Sequence, residues 1–177
     1  MRLSTVCRMT RMFSFDFTHC PDDKDLAASV QLVDEAATLA LGARLAESLA
    51  PGLVIWLEGD LGSGKTTLVR GILKALGHAG TVKSPTYTLI EPYVISKINL
   101  YHFDFYRLTN PEEFLDAGLD EYFSGKGVCL VEWPRQAIPY LASPDLVITL
   151  TSRDGGRWCE IRTRTETGRT CAARLTG

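Results

Sequence analysis

The sequence predicts one α/β domain built as a three-layer sandwich, in which a mixed, mainly parallel sheet lies between helices. Two observations support this prediction. The segments 53–57 and 128–131 are apolar throughout, as strands buried on both faces of a parallel sheet are. Segments with the apolar spacing of helices flank the first of these strands, at 31–49 and 65–76.

The length of 177 residues suits one domain with a large core and is short for two. Neither an internal repeat nor a linker-like tract divides the chain. We expect residues 1–25 to form an irregular N-terminal extension and residues 26–177 to form the domain.

The two helical segments have recognisable ends. The first, 31–49, has Asp34 near its start as a capping residue and Pro51 beyond its end. The second, 65–76, carries one apolar stripe and is followed by Gly77, a natural C-cap. The apolar strand 53–57 is thus placed between two helices.

The rest of the chain predicts shorter elements. Segments 86–94 and 100–106 are strand-like and close enough in sequence to form an antiparallel hairpin. Pro111 fits the first position of a short helix. Segments 146–151 and 158–163 alternate in the manner of strands, and a tight Asp-Gly-Gly turn joins them.

Composition excludes several classes of protein. The 19 basic and 21 acidic side chains give a net charge of −2, which argues against a free-standing nucleic-acid binder. No apolar run is long enough to span a bilayer, and the opening segment lacks the features of a secretory signal. The five cysteines have neither metal nor disulfide spacing and indicate reduced thiols. We therefore expect a cytoplasmic protein with no membrane partner.

A G-x-x-x-x-G-K-[ST] pattern follows the first apolar strand and opens the second helix. Glycines let the backbone wrap a phosphate, because no Cβ keeps the N–H groups away from it, and the helix N-terminus adds positive potential. Lys65 would reach the β- and γ-phosphates, and the Thr66 hydroxyl would join the Mg²⁺ shell. The pattern predicts a P-loop NTPase-like fold that binds ATP and Mg²⁺ through these residues: Gly59, Asp60, Leu61, Gly62, Ser63, Gly64, Lys65, Thr66 and Thr67.

Two acidic residues are candidates for the metal end of this site. Glu132 ends the apolar strand 128–131, at the edge where open α/β sheets bind their ligands. Asp104 stands among aromatic residues in the strand 100–106. A carboxylate on a buried strand needs a partner, and Mg²⁺ is a suitable one, so both acids join Thr66 as predicted metal contacts. A salt bridge or a surface turn is the alternative for each acid.

Other polar positions near the site are less specific. The loop 84–88 carries hydroxyl side chains, Thr86 among them, and would close over a γ-phosphate as switch segments do, although Ser-Pro-Thr is also a common turn. Trp133 precedes a proline and is more typical of packing than of a ligand platform. His78 and His102 lack metal-ligand spacing, so we expect both to be structural or at the surface.

Four blocks in sequence are more specific than the glycine pattern alone: GDLGSGKTT at 59–67, VKSPTYTLIEPY at 82–93, YHFDFYRL at 101–108 and LVEWP at 130–134. In this order and spacing they closely resemble the TsaE family, also called YjeE. Its members are small bacterial ATPases of tRNA threonylcarbamoyladenosine synthesis. The resemblance covers residues 31–150.

The resemblance implies a domain that binds ATP and Mg²⁺ and hydrolyses ATP slowly by itself. It also implies two partners, the TsaB and TsaD proteins, with which the family modifies adenosine 37 of ANN-decoding tRNAs. The tRNA would be met indirectly, through the complex. Hydrolysis would reset the TsaB–TsaD complex between turnovers, and the chain would not itself transfer the threonylcarbamoyl group.

The same resemblance assigns roles to single residues. Lys65 and Thr66 take the phosphate and Mg²⁺ roles of the glycine pattern, and Glu132 makes the second Mg²⁺ contact. Asp104 is the acid needed for hydrolysis and Thr86 belongs to the switch-like loop, so the catalytic set is Asp104, Lys65 and Thr86. The further nucleotide contacts that the family implies are Trp133 beside the site and, near the adenine, Asp34, Glu35 and Thr38.

Two other functions stay open on the sequence. A small-molecule kinase shares the glycine pattern and the size, although we find no arginine-rich lid segment that would clamp a phosphoryl acceptor. A nucleotide-gated binding module would use the nucleotide state to set its affinity for a partner. A GTPase is disfavoured, because no N-K-x-D stretch is present to select guanine.

Overall fold

A computed structural model describes residues 14–19, 23, 25–95, 98–153 and 155–177. Their strands form one seven-stranded sheet in the order β1-β7-β6-β2-β5-β4-β3. The strands are β1 Leu26–Leu32, β2 Val54–Glu58, β3 Ile90–Ile95, β4 Ile98–Asp104, β5 Val128–Glu132, β6 Leu146–Arg153 and β7 Gly156–Thr163. The helices are α1 Glu35–Ala46, α2 Lys65–Ala75, α3 Glu113–Asp116 and α4 Glu166–Thr176, with 3₁₀ helices at Leu119–Phe123 and Pro134–Ala137.

The sheet is mixed, and its parallel part is at the centre. Strands β6, β2, β5 and β4 pair in parallel. The outer strands pair antiparallel, β3 with β4 on one side and β7 with β6 and β1 on the other. The predicted α/β fold with a mixed sheet is confirmed. Its parallel pairing is confined to the four central strands.

Alternation along β2 divides the core between the two faces of the sheet. Ile55 and Leu57 face α1, α2 and α4, where they pack with residues such as Leu41 and Ile72. Val54 points to the opposite face, into a second cluster formed by three phenylalanines and the short helices: Phe103, Phe105 and Phe114. Helices therefore cover both faces, as the predicted three-layer arrangement requires.

Two glycines bring α1 and α2 into backbone contact. A Cβ built at Gly42 would lie 2.4 Å from the carbonyl oxygen of Leu68, and one built at Gly71 would lie 2.3 Å from that of Leu39. Any larger side chain at either position therefore forces the helices apart. This contact sets the position of α2, whose first residue belongs to the glycine pattern.

The N-terminal part of the domain differs from the prediction. The first helix begins at Glu35 instead of residue 31, and residues 26–32 form β1, which pairs antiparallel with β7. Asp34 caps the helix as expected, because its Oδ1 accepts a hydrogen bond from the backbone N–H of Ala37 at 2.7 Å. The short apolar and small residues of β1 gave no strand signal by themselves; its partner strand lies far along the chain.

The C-terminal helix α4 is also absent from the sequence prediction. Thr165 caps it, accepting from the N–H of Gly168 at 3.1 Å, and Cys171, Ala172 and Leu175 bury one face. Only this narrow stripe is apolar in an otherwise polar segment. The predicted hairpin of strands 86–94 and 100–106 is confirmed as β3–β4, although β3 begins at Ile90 and β4 at Ile98. The two later strands that a tight turn was predicted to join pair antiparallel as β6–β7.

The predicted N-terminal extension falls largely outside the described residues, which omit 1–13, 20–22 and 24. Of its described part, Thr18 exchanges two backbone hydrogen bonds of 2.8 Å with Ser29 of β1. Phe17 packs against the main core, and the Arg44 guanidinium lies 5.4 Å from its ring centroid. The boundary at residue 25 stays a prediction.

Three of the five cysteines, Cys129, Cys159 and Cys171, are buried free thiols. Burial raises the pKa of the Cys129 and Cys159 thiols to about 12 and that of Cys171 to about 11, so all three stay protonated at neutral pH. Among the described residues, no helix has both the length and the apolar character needed to cross a membrane.

We expect Gly42→Ala to destabilise the fold although alanine is the better helix former. The added Cβ overlaps the Leu68 carbonyl, and such overpacking costs about 1–3 kcal/mol. Urea unfolding measures the loss. The reverse change at an exposed position of the same helix, Ala36→Gly, is the control for helix propensity and should cost no more than about 1 kcal/mol. A Gly42→Ala protein as stable as the parent would contradict the close helix contact.

Candidate functional site

The candidate site lies where β2, β4 and β5 end and α2 begins. The parallel register pairs Asp104 of β4 directly with Glu132 of β5. The glycine loop, residues 59–64, connects β2 to α2 across the same edge of the sheet. Together these elements line a cleft of about 440 Å³.

The glycine loop needs glycine at three points. Gly59, Gly62 and Gly64 have φ angles of 136°, 78° and 106°, values that side chains disfavour. Gly64 is the N-cap of α2 and supplies no side-chain hydrogen bond to the first turn. The backbone N–H groups at this helix start therefore lack a side-chain cap, which is the arrangement that favours an anion.

Lys65 is held inside the loop, with 4% of its surface exposed. Its Nζ donates hydrogen bonds to the carbonyl oxygens of Gly59 at 2.7 Å and Asp60 at 2.9 Å, and it lies 4.5 Å from the centroid of the Trp133 ring. Burial lowers the pKa of Lys65, and the nearby charges of Glu132 and Asp104 oppose that shift. A phosphate at the loop would offer the ammonium a charged acceptor in place of two carbonyls.

Glu132 is 3% exposed and is fixed by two hydrogen bonds to one oxygen. Its Oε1 accepts from the Thr66 hydroxyl at 2.9 Å and from Nε2 of His102 at 2.9 Å. With Glu132 ionised, the carboxylate only accepts, and Nε2 of His102 is then the donor of this hydrogen bond. The Nδ1 of His102 is buried and has no hydrogen-bond partner among the described residues. The second carboxylate oxygen of Glu132 accepts no hydrogen bond from Thr66 or His102.

Asp104 is the anchor of the loop that contains Ser84 and Thr86. Its Oδ2 accepts hydrogen bonds from the Ser84 hydroxyl and, at 2.9 Å, from the Thr86 hydroxyl. Its Oδ1 accepts from the backbone N–H of Tyr106 at 3.0 Å. The loop predicted to act as a switch therefore lies at the site and is tied to the acid predicted for hydrolysis.

The three predicted metal contacts, Thr66, Glu132 and Asp104, are brought together. They offer oxygen atoms alone, the donors that Mg²⁺ prefers. Asp104 and Glu132 are both buried, and neither forms an ion pair with a lysine or arginine among the described residues. The described chain offers no cluster of three or more His, Cys, Asp or Glu side chains for a metal. The oxygen donors of Thr66, Glu132 and Asp104 fit Mg²⁺, because this ion keeps several bound waters and takes further ligands from phosphates.

Aromatic residues form the rim of the cleft. Trp133 takes a left-handed backbone conformation, with φ 56°, which turns its ring over Lys65 and within 5.0 Å of the Tyr106 ring centroid. Leu61 and Tyr87 are 74% and 83% exposed at the mouth. The Arg107 guanidinium lies 4.4 Å from the Tyr87 ring centroid. At this rim Trp133 packs against Lys65 and Tyr106.

Not every predicted nucleotide contact lines the cleft. Glu35 is exposed on the first turn of α1, where it pairs with Arg70 of α2 at 3.3 Å. Asp34 caps that helix, and the buried Thr38 hydroxyl donates to the Asp34 carbonyl at 3.1 Å. Gly59, Asp60 and Ser63 shape the loop from behind; the cleft itself is lined by Leu61, Gly62, Gly64, Lys65, Thr66 and Thr67. The adenine contact of Glu35 stays a prediction.

Arg157 had no role assigned from the sequence, and His102 was expected to be structural or at the surface. His102 is wholly buried and not at the surface; its place two residues before Asp104 in a strand puts it on the same face, a signal that alternation provides. Arg157 of β7 also lines the cleft. The residues next to Arg157 in the sequence do not indicate a place in the cleft, because the pairing of strands that are distant in sequence brings Arg157 to it.

We expect His102→Asn to lower the free energy of unfolding by about 2 kcal/mol, since it removes a buried hydrogen bond to a charged group. His102→Gln is the matched variant, because its amide nitrogen comes near the place of Nε2 and preserves a donor to Glu132. Urea unfolding without nucleotide should show a clearly smaller loss for glutamine. Equal losses in the two variants would assign the effect to ring packing and not to the hydrogen bond.

The family model described as "Threonylcarbamoyl adenosine biosynthesis protein TsaE" matches residues 32–159. Among curated proteins, the chain is 41% identical over 141 residues to a tRNA threonylcarbamoyladenosine biosynthesis protein TsaE of Haemophilus influenzae, covering 77% of this chain and 89% of that protein. It is 44% identical over 142 residues to the TsaE of a Nostoc species, covering 77% and 86%.

A solved structure supports the same relationship. The crystal structure of Bacillus subtilis YdiB superposes with a TM-score of 0.71 at 31% sequence identity, covering 93% of this chain and 97% of that one. Fold, sequence and the four motif blocks thus agree, and the resemblance drawn from the blocks is confirmed. The chain belongs to the TsaE family of tRNA threonylcarbamoyladenosine biosynthesis proteins.

Proposed function

We propose that this protein is a Mg²⁺-dependent ATPase that acts as an accessory in forming threonylcarbamoyladenosine at position 37 of ANN-decoding tRNAs. In this proposal it works in the cytoplasm with the TsaB and TsaD proteins and meets tRNA through their complex. ATP is hydrolysed slowly by the chain alone and faster with both partners. The threonylcarbamoyl group is transferred elsewhere in the complex.

The observation that carries the ATPase proposal is the meeting of a P-loop with two buried acids. Thr66, the residue after the P-loop lysine, donates to Glu132, and Glu132 is the register partner of Asp104. A P-loop alone holds phosphates, and hydrolysis also needs metal ligands and a residue that positions water. The glycine loop and both acids line one cleft, and this supports the proposal.

Each group then has a role in the proposed reaction. Lys65 leaves the loop carbonyls to bind the β- and γ-phosphates, and the first turn of α2 binds the phosphates through its backbone N–H groups. Thr66 and Glu132 would hold Mg²⁺, and the metal would supply positive charge that neutralises phosphate charge. Asp104, together with Thr86, orients the attacking water beside the terminal phosphate.

A nucleotide-gated binding module is the second candidate. The exposed apolar side chains of Leu61 and Tyr87 stand at the mouth of the cleft, so a partner bound there would contact the residues nearest to the nucleotide. Nucleotide state would then set the affinity for that partner. The two functions differ in whether hydrolysis is required or incidental.

We expect phosphate release from ATP by the purified chain to be low and to rise when TsaB and TsaD are both added. Lys65→Ala should lose at least about tenfold in ATP affinity, because a charge-assisted contact is removed. Asp104→Asn should bind ATP and lower turnover by about 100-fold or more, as loss of a proton-transferring or water-orienting group does. A coupled phosphate assay and calorimetric titration measure the two quantities.

Three results would contradict this proposal. If Asp104→Asn hydrolysed ATP at the parental rate, Asp104 would have no role in the reaction. Phosphate passed to a small acceptor would indicate a kinase. Hydrolysis that is indifferent to both partners would separate the ATPase from the modifying complex. Two results together would favour the binding module. Partner affinity would differ between the ATP-bound and ADP-bound chain, and the complex with Asp104→Asn would still modify tRNA over many turnovers.

A further inference from the structure

Arg157, the second residue of β7, lies against the glycine loop. A Cβ built at Gly64 would be 2.9 Å from Nε and 3.2 Å from Cδ of this arginine, so the guanidinium covers the Gly64 backbone. The same side chain lines the cleft with Lys65 and Asp104. Its position is fixed by two strands at once, since Arg157 pairs with Leu32 of β1 and Ser152 of β6.

The side chain of Arg157 is half-buried, and part of its hydrogen-bonding capacity is unsatisfied within the described part of the chain. Its Nε is shielded from solvent and has no hydrogen-bond acceptor there, and no described carboxylate forms an ion pair with it. Two other arginines, at and just after the far end of β7, are compensated: Arg162 pairs with Asp23 at 2.6 Å and Arg164 with Asp25 at 2.8 Å. A buried donor without an acceptor costs free energy, so an arginine kept in this state indicates an absent partner.

The chemistry of the cleft identifies that partner. Guanidinium groups bind carboxylates and phosphates through parallel hydrogen bonds, and they lose less hydration than ammonium groups do when they leave water. Gly64 belongs to the turn whose N–H groups cradle the α- and β-phosphates of a nucleotide. The residues expected near the γ-phosphate, Asp104 and Thr86, are bonded to each other and not to Arg157.

We propose that Arg157 is a phosphate-binding residue of the nucleotide site, contacting the α- or β-phosphate that ATP and ADP share. This proposal rests on nucleotide binding at the glycine loop. It assigns a binding role to the β6–β7 hairpin: the hairpin delivers a second positive side chain to the phosphates, beside Lys65 from α2. It also gives a second reason for glycine at position 64, because a side chain there would displace the guanidinium.

The test compares the affinities of MgADP and MgATP for the parent and for Arg157→Ala by calorimetric titration at one fixed salt concentration. Loss of a charge-assisted phosphate contact should weaken both nucleotides by a similar factor, about 10- to 100-fold. Arg157→Lys keeps the positive charge but lacks the planar guanidinium fork. Its nucleotide affinities should therefore lie between those of the parent and those of Arg157→Ala.

Arg153→Ala is the matched control. It removes one positive charge from the same hairpin, but Arg153 does not line the cleft and lies 5.3 Å from the Trp158 ring centroid. The MgADP and MgATP affinities of Arg153→Ala should stay within about twofold of those of the parent, because dissolved salt screens an exposed charge from the nucleotide. Unfolding of each variant without nucleotide separates a folding defect from a binding defect; if Arg157→Ala does not fold, Arg157→Lys and Arg157→Gln carry the comparison.

Distinct results overturn the inference. Parental ADP affinity in Arg157→Ala, or in Arg157→Gln where the alanine variant does not fold, would show that the arginine binds no shared phosphate. Loss confined to MgATP would place the contact at the γ-phosphate and contradict the assignment to the shared groups. Equal losses in Arg153→Ala would reduce the effect to net charge. Failure of the parent to bind either nucleotide would instead contradict the proposed function itself.

Discussion

The parallel pairing of β4 with β5 is the constraint on which the site depends. Its register places two carboxylates, Asp104 and Glu132, side by side at the end of the sheet, where each is almost wholly buried. Buried like charges are costly unless other groups satisfy them. The surrounding hydrogen bonds from His102, Thr66 and Thr86 meet part of this demand, and the proposed Mg²⁺ would meet the rest, because the site offers oxygen donors.

The position of α2 is the second condition, and it comes from helix packing. Gly42 and Gly71 let α1 and α2 approach until backbone meets backbone, so the start of α2 is held at a fixed distance from the sheet. The Thr66 hydroxyl, in the first turn of α2, donates to Glu132 at 2.9 Å from this position. A site that needs positions accurate to a fraction of an ångström is therefore built on a strand pair and a helix pair, with only the phosphate cradle and the Ser84–Thr86 segment left to loops.

Local patterns made the central part of this structure predictable. The apolar strands β2 and β5, the glycine loop and the acid that ends β5 all show themselves in a few neighbouring residues. The elements that were missed, β1 and α4, have weak patterns and depend on partners that are distant in sequence. Arg157 was not predicted as a site residue for the same reason, since its place at the glycine loop follows from strand pairing. Glu35, chosen by family resemblance, lies on an exposed helix turn bonded to Arg70.

The claim at the centre of this account is that Glu132, fixed by Thr66 and His102, presents its remaining oxygen to Mg²⁺ beside a bound nucleotide. Calorimetric titration of ADP with and without Mg²⁺, on the parent and on Glu132→Gln, tests it most directly. Glutamine keeps an oxygen that accepts from Thr66 and His102, and it removes the charge that holds the metal. The account predicts that Mg²⁺ tightens ADP binding in the parent and has little effect in Glu132→Gln. The same Mg²⁺ dependence in both proteins would contradict it.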